Sequence, residues 1–166
     1  MSRWRPPSPK SSPYITRGGY QAMERELTEL WDKRGEVTRA VTAAAAEGDR
    51  SENAEYIYRK KQLREIDARI RYLQKRMPDL RIIDQVGDHS RVFFGASITL
   101  EDEEGEEQVY RIVGPDEIDP EKYHISIDSP LARALLGKSQ DEEITVKTEE
   151  KTRTFFILLI EYETGF

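Results

Sequence analysis

The chain contains no cysteine, which excludes disulfides and thiolate chemistry. It has only two histidines, His89 and His124, too few for a His-rich metal site. Neither stands in a visible arrangement with a carboxylate or a nucleophile, so neither is assigned a catalytic role. No apolar run approaches the ~20 residues that a membrane span needs. Residues 1–13 carry basic side chains with no apolar stretch behind them, so no signal peptide is expected. Gly-rich phosphate loops and Ser/His/Asp patterns are also missing. Together these absences favour a cytoplasmic protein without a membrane partner.

What is present is charge. Charged residues make up 35% of the 166 positions and hydrophobic residues 37%, polar for one compact globule. That balance suits an arm with much exposed surface joined to a small core. The net charge of −6 is unevenly spread. Residues 1–13 carry 3 basic and no acidic side chains, and residues 14–77 carry 14 basic against 11 acidic. Residues 78–166 carry 9 basic against 21 acidic. A mildly basic segment followed by a strongly acidic one presents opposite fields to different partners.

The Pro/Ser-rich stretch at residues 1–13 reads as a disordered tail. Residues 14–77 then read as a helical hairpin. Thr16 is a plausible N-cap, although Gly18-Gly19 weakens the first turn. Tyr20, Met23, Leu27, Leu30, Arg34, Val37, Val41 and Ala44 step alternately by three and four, a heptad seam with one polar interruption at Arg34. Ala43 to Ala46 narrows the helix so that a partner helix can approach closely. Tyr56, Arg59, Leu63, Ile66, Ile70, Leu73 and Met77 repeat the pattern until Pro78 ends it. Two helices of similar length with a short connection pack antiparallel, with the tip at residues 47–53.

After Pro78 the period changes. Leu80 to Ile83, Ala96 to Leu100, Gln108 to Val113, His124 to Ile127, Glu143 to Val146 and Thr154 to Tyr162 read as strands. Glu101 to Glu107, with Gly105, reads as a hairpin turn. Ser129 can cap a short helix over Pro130 to Leu136, with Gly137 at its end. Phe93-Phe94 and Phe155-Phe156 are each expected on a strand with one ring inward and one outward. The fold class is α+β: an antiparallel two-helix coiled-coil hairpin, then a small antiparallel-sheet domain with one short helix over residues 78–166.

Three features carry chemistry. Asp49 and Glu52 sit three apart at the tip. Such a pair could share Mg²⁺, which prefers oxygen ligands, or form a capping box with Asp49 as N-cap and Glu52 at N3. Two carboxylates in water bind Mg²⁺ weakly, so a working site needs further ligands. Residues 59–76 hold Arg59, Lys60, Lys61, Arg64, Arg69, Arg71, Lys75 and Arg76 against Glu65 and Asp67. The choice there is between a solvated helix face and a counterpart for phosphates, with Tyr56 and Tyr58 available to stack on bases. Asp128-Ser129-Pro130 precedes the short helix, where capping is the simplest role.

Several segments, taken in order, resemble the GreA/GreB family of bacterial transcript cleavage factors from about Tyr14 to Tyr162. They are Ile15-Thr16-Arg17-Gly18-Gly19-Tyr20, Gly48-Asp49-Arg50-Ser51-Glu52-Asn53-Ala54-Glu55-Tyr56, Phe93-Phe94-Gly95-Ala96, Arg111-Ile112-Val113-Gly114 and Ile125 to Leu136. Arg50-Ser51, followed by Tyr56-Ile57-Tyr58-Arg59-Lys60-Lys61, is similar to the GreB branch. The Pro/Ser-rich tail departs from the pattern.

The resemblance implies a second domain of FKBP-like fold that grips RNA polymerase, and a hairpin that enters the polymerase secondary channel. It implies that Asp49 and Glu52 share Mg²⁺ with the polymerase active site and assist its cleavage of backtracked RNA. No cofactor would be held stably by the chain alone, and the chain would not itself be an enzyme. Asp128, Ser129 and Pro130 are then expected at the polymerase-binding surface. Arg59, Lys60, Lys61 and Arg64 are expected to face RNA, whose 3′ end in the backtracked complex is the second partner. A monomer is expected. A Gre-like inhibitor that blocks the channel without cleavage is the alternative, against which the presence of both Asp49 and Glu52 argues. By fold analogy a prolyl isomerase is a third reading, but no apolar aromatic pocket is evident in the pattern.

Overall fold

Thr16 opens the first helix with its own side chain. Its Oγ1 accepts the Gly19 N–H at 3.0 Å, satisfying a donor that the first turn leaves unpaired. The computed structural model describes residues 10–47 and 53–163. Helix α1 spans Arg17–Ala46 and α2 spans Ala54–Arg76. Pro78 has no N–H to continue the ladder, and a 3-10 turn over Met77–Asp79 replaces it.

The heptad seam is where the hairpin buries its apolar surface. Val37, Ile66 and Ile70 are buried, packed against Leu27, Leu30, Val41 and Leu63. Arg34, the polar interruption, has a partner on the other helix: its Nε donates to Asp67 Oδ1 at 2.6 Å. Arg69 grips both oxygens of Glu26, at 2.6 and 3.0 Å. As one helix number rises, the number of its partner falls, so the helices are antiparallel. These pairs are partly exposed, and such pairs contribute only ~0.2–1 kcal/mol each. They fix register more than stability. At 1.5 Å per residue, α1 is about 45 Å long.

Among the described residues the strands are β1 Tyr14–Ile15, β2 Arg81–Ile82, β3 Ser97–Glu101, β4 Glu107–Val113, β5 His124–Ser126, β6 Glu143–Lys147 and β7 Thr152–Glu161. A short helix, α3, spans Pro130–Leu135. Strands β3 to β7 form one sheet in the order β5-β4-β3-β7-β6. An antiparallel sheet was expected from the sequence, and three of its pairings are antiparallel, but β5 joins β4 in parallel. The chain between β4 and β5 is long enough to return to the start of the sheet edge. It does so through a 3-10 turn at Pro120–Lys122 and a left-handed Tyr123. The sheet is therefore mixed.

Alternation makes the core. Along β3 and β6 every second residue is buried. Ile98, Leu100, Ile112, Ile144, Val146, Phe155 and Ile157 pack with Ala132 and Leu135 of α3. Each such Leu, Ile or Phe contributes ~1.5–3 kcal/mol by leaving water. Phe155 and Phe156 alternate inward and outward on β7 as expected. Phe93 and Phe94 do not lie on a strand. They precede a turn at Gly95, whose φ is 84°, and only Phe94 is buried. The Glu101 to Glu107 turn forms with Gly105 at φ 80°, and Asp102 Oδ1 accepts the Glu104 and Glu106 N–H groups at 2.9 Å.

The chain divides into two units. One holds the described residues up to Gly19 and the chain from Arg81 onward; the other is Tyr20–Leu80. The sequence reading set the hairpin at 14–77, and the compact unit that holds most of both helices is Tyr20–Leu80. Residues 14–19 are claimed by the sheet unit through two contacts. Strand β1 pairs in parallel with β2, Tyr14 opposite Arg81 and Ile15 opposite Ile82. The Glu117 carboxylate accepts the Thr16 N–H at 3.1 Å, the Thr16 hydroxyl, and the Gly114 N–H at 2.8 Å. The expected tail also ends before Pro13, whose carbonyl accepts the Arg81 N–H at 2.7 Å. Residues 1–9 lie outside the described residues.

Two glycines leave room for this junction. A Cβ on Gly19 would sit 2.0 Å from Glu117 Oε1, and one on Gly114 would sit 2.0 Å from the Tyr14 carbonyl oxygen. The Gly18-Gly19 pair weakens a helix start in isolation, yet Gly19 is what lets the carboxylate approach it. Replacing Gly114 by alanine pushes against backbone, which cannot swing aside. The expected result is a loss of about 2 kcal/mol in the denaturant unfolding of the whole chain. Gly18→Ala, with nothing within 4 Å, serves as the control and should not destabilise.

Candidate functional site

Asn53 closes the described part of the hairpin. Its Oδ1 accepts the Tyr56 N–H at 3.1 Å, which caps α2. Its Nδ2 donates to the Ala44 carbonyl at 2.7 Å, which satisfies an acceptor near the end of α1. One amide thus serves both helix ends. Ala44 is buried, as the narrowing alanine run predicts for a close approach. The capping-box reading gave the N-cap to Asp49; the helix begins at Ala54, and the cap is Asn53. Asp49 and Glu52 themselves lie outside the described residues. In sequence they fall between the two helices. Among the described residues no group of three or more acidic or histidine side chains is placed to hold a metal ion.

The basic run divides by environment. Arg59 is half-buried, as its seam position requires. Its Nε donates to Glu55 Oε1 at 2.8 Å and its Nη1 to Gln62 Oε1 at 3.1 Å. Lys60, Lys61 and Arg64 are exposed. Lys60 Nζ lies 5.4 Å from the centre of the Tyr56 ring, and Arg59 Cζ lies 5.5 Å from that of Tyr58. Tyr58 is 59% exposed, whereas Tyr56 belongs to the seam. A groove of about 440 Å³ on the hairpin is lined by Lys33, Tyr58, Lys61 and Arg69 among others. The sequence reading placed the positive surface on α2 alone. Lys33 of α1 joins it, a contribution visible only once the helices are paired.

At the other candidate surface, Ser129 is the N-cap of α3: its Oγ accepts the Ala132 N–H at 3.2 Å. Pro130 follows at the first helical position and is exposed, and Gly137 ends the turn at φ 79°. Asp128 sits just before the cap, with both carboxylate oxygens bonded to Ser12. The structure thus brings Asp128, Ser129 and Pro130 together with a residue that the sequence reading left in the tail. Its only sequence signal was a serine in front of Pro13.

Beside this turn lies an open apolar depression of about 400 Å³, lined by Tyr14, Ile83, Phe93, Phe94, Ile127 and Leu136 among others. No such pocket was expected from the pattern. Its walls come from five separated stretches of chain, which no local period reveals. Among the described residues no helix is long and apolar enough to cross a membrane.

Three comparisons with known proteins follow from here. The model for "Transcription elongation factor, N-terminal" matches residues 13–82, and that for "Transcription elongation factor, GreA/GreB, C-term" matches residues 87–162. The hairpin and the sheet unit therefore define a transcription elongation factor. More closely, the chain belongs to the GreA/GreB family. Transcription elongation factor GreB of Pseudomonas aeruginosa is 55% identical over 164 residues, covering 98% of each chain. That of Yersinia pestis is 56% identical over 153 residues, covering 91% of this chain and 90% of its own. Among solved structures, Gfh1 of Thermus aquaticus is 23% identical with a TM-score of 0.43, covering 91% of this chain and 99% of its own.

The two histidines have structural surroundings. His89 stacks on Tyr162 at 4.7 Å between ring centres. His124 is held below its ordinary value, first by burial and then by the Arg111 guanidinium, with Asp119 pulling the other way. A depressed value means that the unfolded chain takes up this proton more readily than the folded one. Stability is therefore present while both states are neutral, above about pH 6.5, and is lost as pH falls through and below that value. Urea midpoints measured from about pH 7.5 down to 5.5 should fall, and His124→Gln should flatten that slope.

Proposed function

We propose that this chain docks on RNA polymerase through its sheet unit and inserts the hairpin into the secondary channel. There it stimulates the polymerase's own Mg²⁺-dependent cleavage of backtracked RNA, so that arrested complexes resume elongation. The chain acts as a monomeric cytoplasmic factor and not as an autonomous enzyme. Its partners are the polymerase and the nascent RNA 3′ end. The observation that carries this reading is the hairpin: two long antiparallel helices, closed by Asn53, with Asp49 and Glu52 in the stretch that joins them. Membership in an elongation-factor family supports the same role.

Asp49 and Glu52 fit a magnesium site by donor chemistry, since both offer hard oxygen ligands. Such an ion, when bound, lowers the pKa of an attacking water and stabilises a developing oxyanion. Two carboxylates are fewer ligands than Mg²⁺ requires, and the polymerase supplies the rest. Asp128, with Ser129 and Pro130 beside it, forms part of the docking surface on the acidic unit, facing a cationic region of the polymerase. Lys60, Lys61 and Arg64, with Arg59 behind them, face RNA extruded through the channel.

The experiment is a stalled polymerase–RNA complex to which pure protein is added while RNA length is followed. Asp49→Ala and Glu52→Ala should each reduce stimulated cleavage by at least about tenfold, with binding to polymerase retained. Full activity of both at saturating protein would sink the shared-magnesium role.

A second prediction concerns the exposed lysines. Replacing Lys60 and Lys61 together by glutamine should reduce crosslinking to extruded RNA and spare dinucleotide release. Each phosphate contact to a single strand contributes about 0.7 to the slope of log affinity against log salt. Two lost contacts should therefore flatten that slope by about 1.4. Equal losses for short and long backtracked RNA would instead point to polymerase contacts or to hairpin destabilisation, which a melting curve of the double variant separates.

A further inference from the structure

Ser12 stands in a stretch that reads as tail, yet it holds the carboxylate assigned above to polymerase docking. The Ser12 N–H donates to Asp128 Oδ2 at 2.8 Å, and the Ser12 hydroxyl donates to Oδ1. The two donors belong to one residue and each takes a different oxygen. A single hydrogen bond lets a carboxylate pivot about it; a fork of two fixes its plane as well as its position. Both of these donors are neutral.

The fork has firm footing on both sides. The next residue, Pro13, has its carbonyl bonded to the Arg81 N–H at 2.7 Å, and Tyr14 begins β1 against β2. On the other side the Asp128 N–H donates to Ser126 Oγ at 3.0 Å, and Ser126 is buried at the end of β5. Ser129, one residue on, is committed to capping α3. Asp128 is thus placed by its own backbone and oriented by a residue 116 positions away in sequence.

We propose that Ser12 is a positioning residue of the docking site: it presets the Asp128 carboxylate for a cationic group on the polymerase. This rests on the docking role proposed for Asp128. Ordering a side chain at an interface subtracts from affinity, so a side chain ordered beforehand binds more tightly. A guanidinium partner gains most, because its fork needs the carboxylate in a defined plane.

The test uses full-length protein competing with labelled wild type for RNA polymerase. Ser12→Ala keeps the N–H donor and removes the hydroxyl; it should weaken binding about three- to tenfold. Ser12→Thr retains a hydroxyl and should restore it. Asp128→Ala should weaken binding at least as much, and adding S12A to D128A should cost nothing further. Because D128A deletes the same bond, urea midpoints are read beside the binding: positioning predicts that S12A stays fully folded under the assay conditions while it binds weakly, and a loss that tracks unfolding overturns it. The inference is overturned if S12A binds as well as wild type, or more tightly, while D128A is weakened. It is also overturned if the S12A loss survives in the D128A background. If D128A binds normally, the docking role of Asp128 falls and the inference with it, leaving the tip carboxylates to be judged by cleavage. If the wild-type chain does not bind polymerase at all, both readings fall.

Discussion

The carboxylate of Glu117 is the point on which the sheet unit closes. Three donors converge on it: the backbone and hydroxyl of Thr16, and the Gly114 N–H at the end of β4. Thr16 is only 5% exposed, so these are not contacts that water can replace at no cost. The same threonine oxygen that donates to Glu117 accepts the Gly19 N–H. Helix start and sheet edge are thereby parts of one hydrogen-bonded knot. Gly19 and Gly114 are the space it requires, and β1, the neighbouring strand pair and the path of residues 10–13 follow from where it holds the chain.

The two units divide the work by chemistry. The hairpin is a seam of medium-sized apolar residues edged by cross-helix ion pairs, with cations and exposed aromatic rings on its flank. The sheet unit carries the acidic excess, packs its main apolar core between the sheet and α3, and has an apolar depression lined by Tyr14, Phe93 and Leu136. Separating the two signs of charge in this way lets one chain present opposite fields to different partners.

Most of the architecture was legible in the sequence because it rests on local periods. The three-four alternation from Tyr20 to Ala44 marks residues that the structure keeps from full exposure, and each expected strand after Pro78 except the one through Phe93-Phe94 has a counterpart. Misreadings came from long-range pairing. A parallel β4–β5 contact depends on how residues between Val113 and His124 return, which alternation cannot show. Strand β1 is two residues long and exists only because β2 lies beside it. At the candidate sites the residue types were legible and their partners were not. Asn53 was passed over for Asp49 because Asp-x-x-Glu is the stronger capping pattern, although Asn is as good an N-cap as Asp. Ser12 carried no signal beyond its place in front of Pro13, since its partner, Asp128, is 116 positions away.

The hairpin also behaves as a graduated ruler. Ala44 faces Asn53, Arg34 faces Asp67 and Glu26 faces Arg69, so each rung fixes how far along one helix corresponds to a given place on the other. A residue inserted into one helix alone would offset every rung on one side of it and rotate the seam by about 100°. The reach of the hairpin can therefore change only in matched steps, a whole heptad added to or taken from α1 and α2 together. Its length is quantised, and two distant stretches of the chain must be edited at once to alter it.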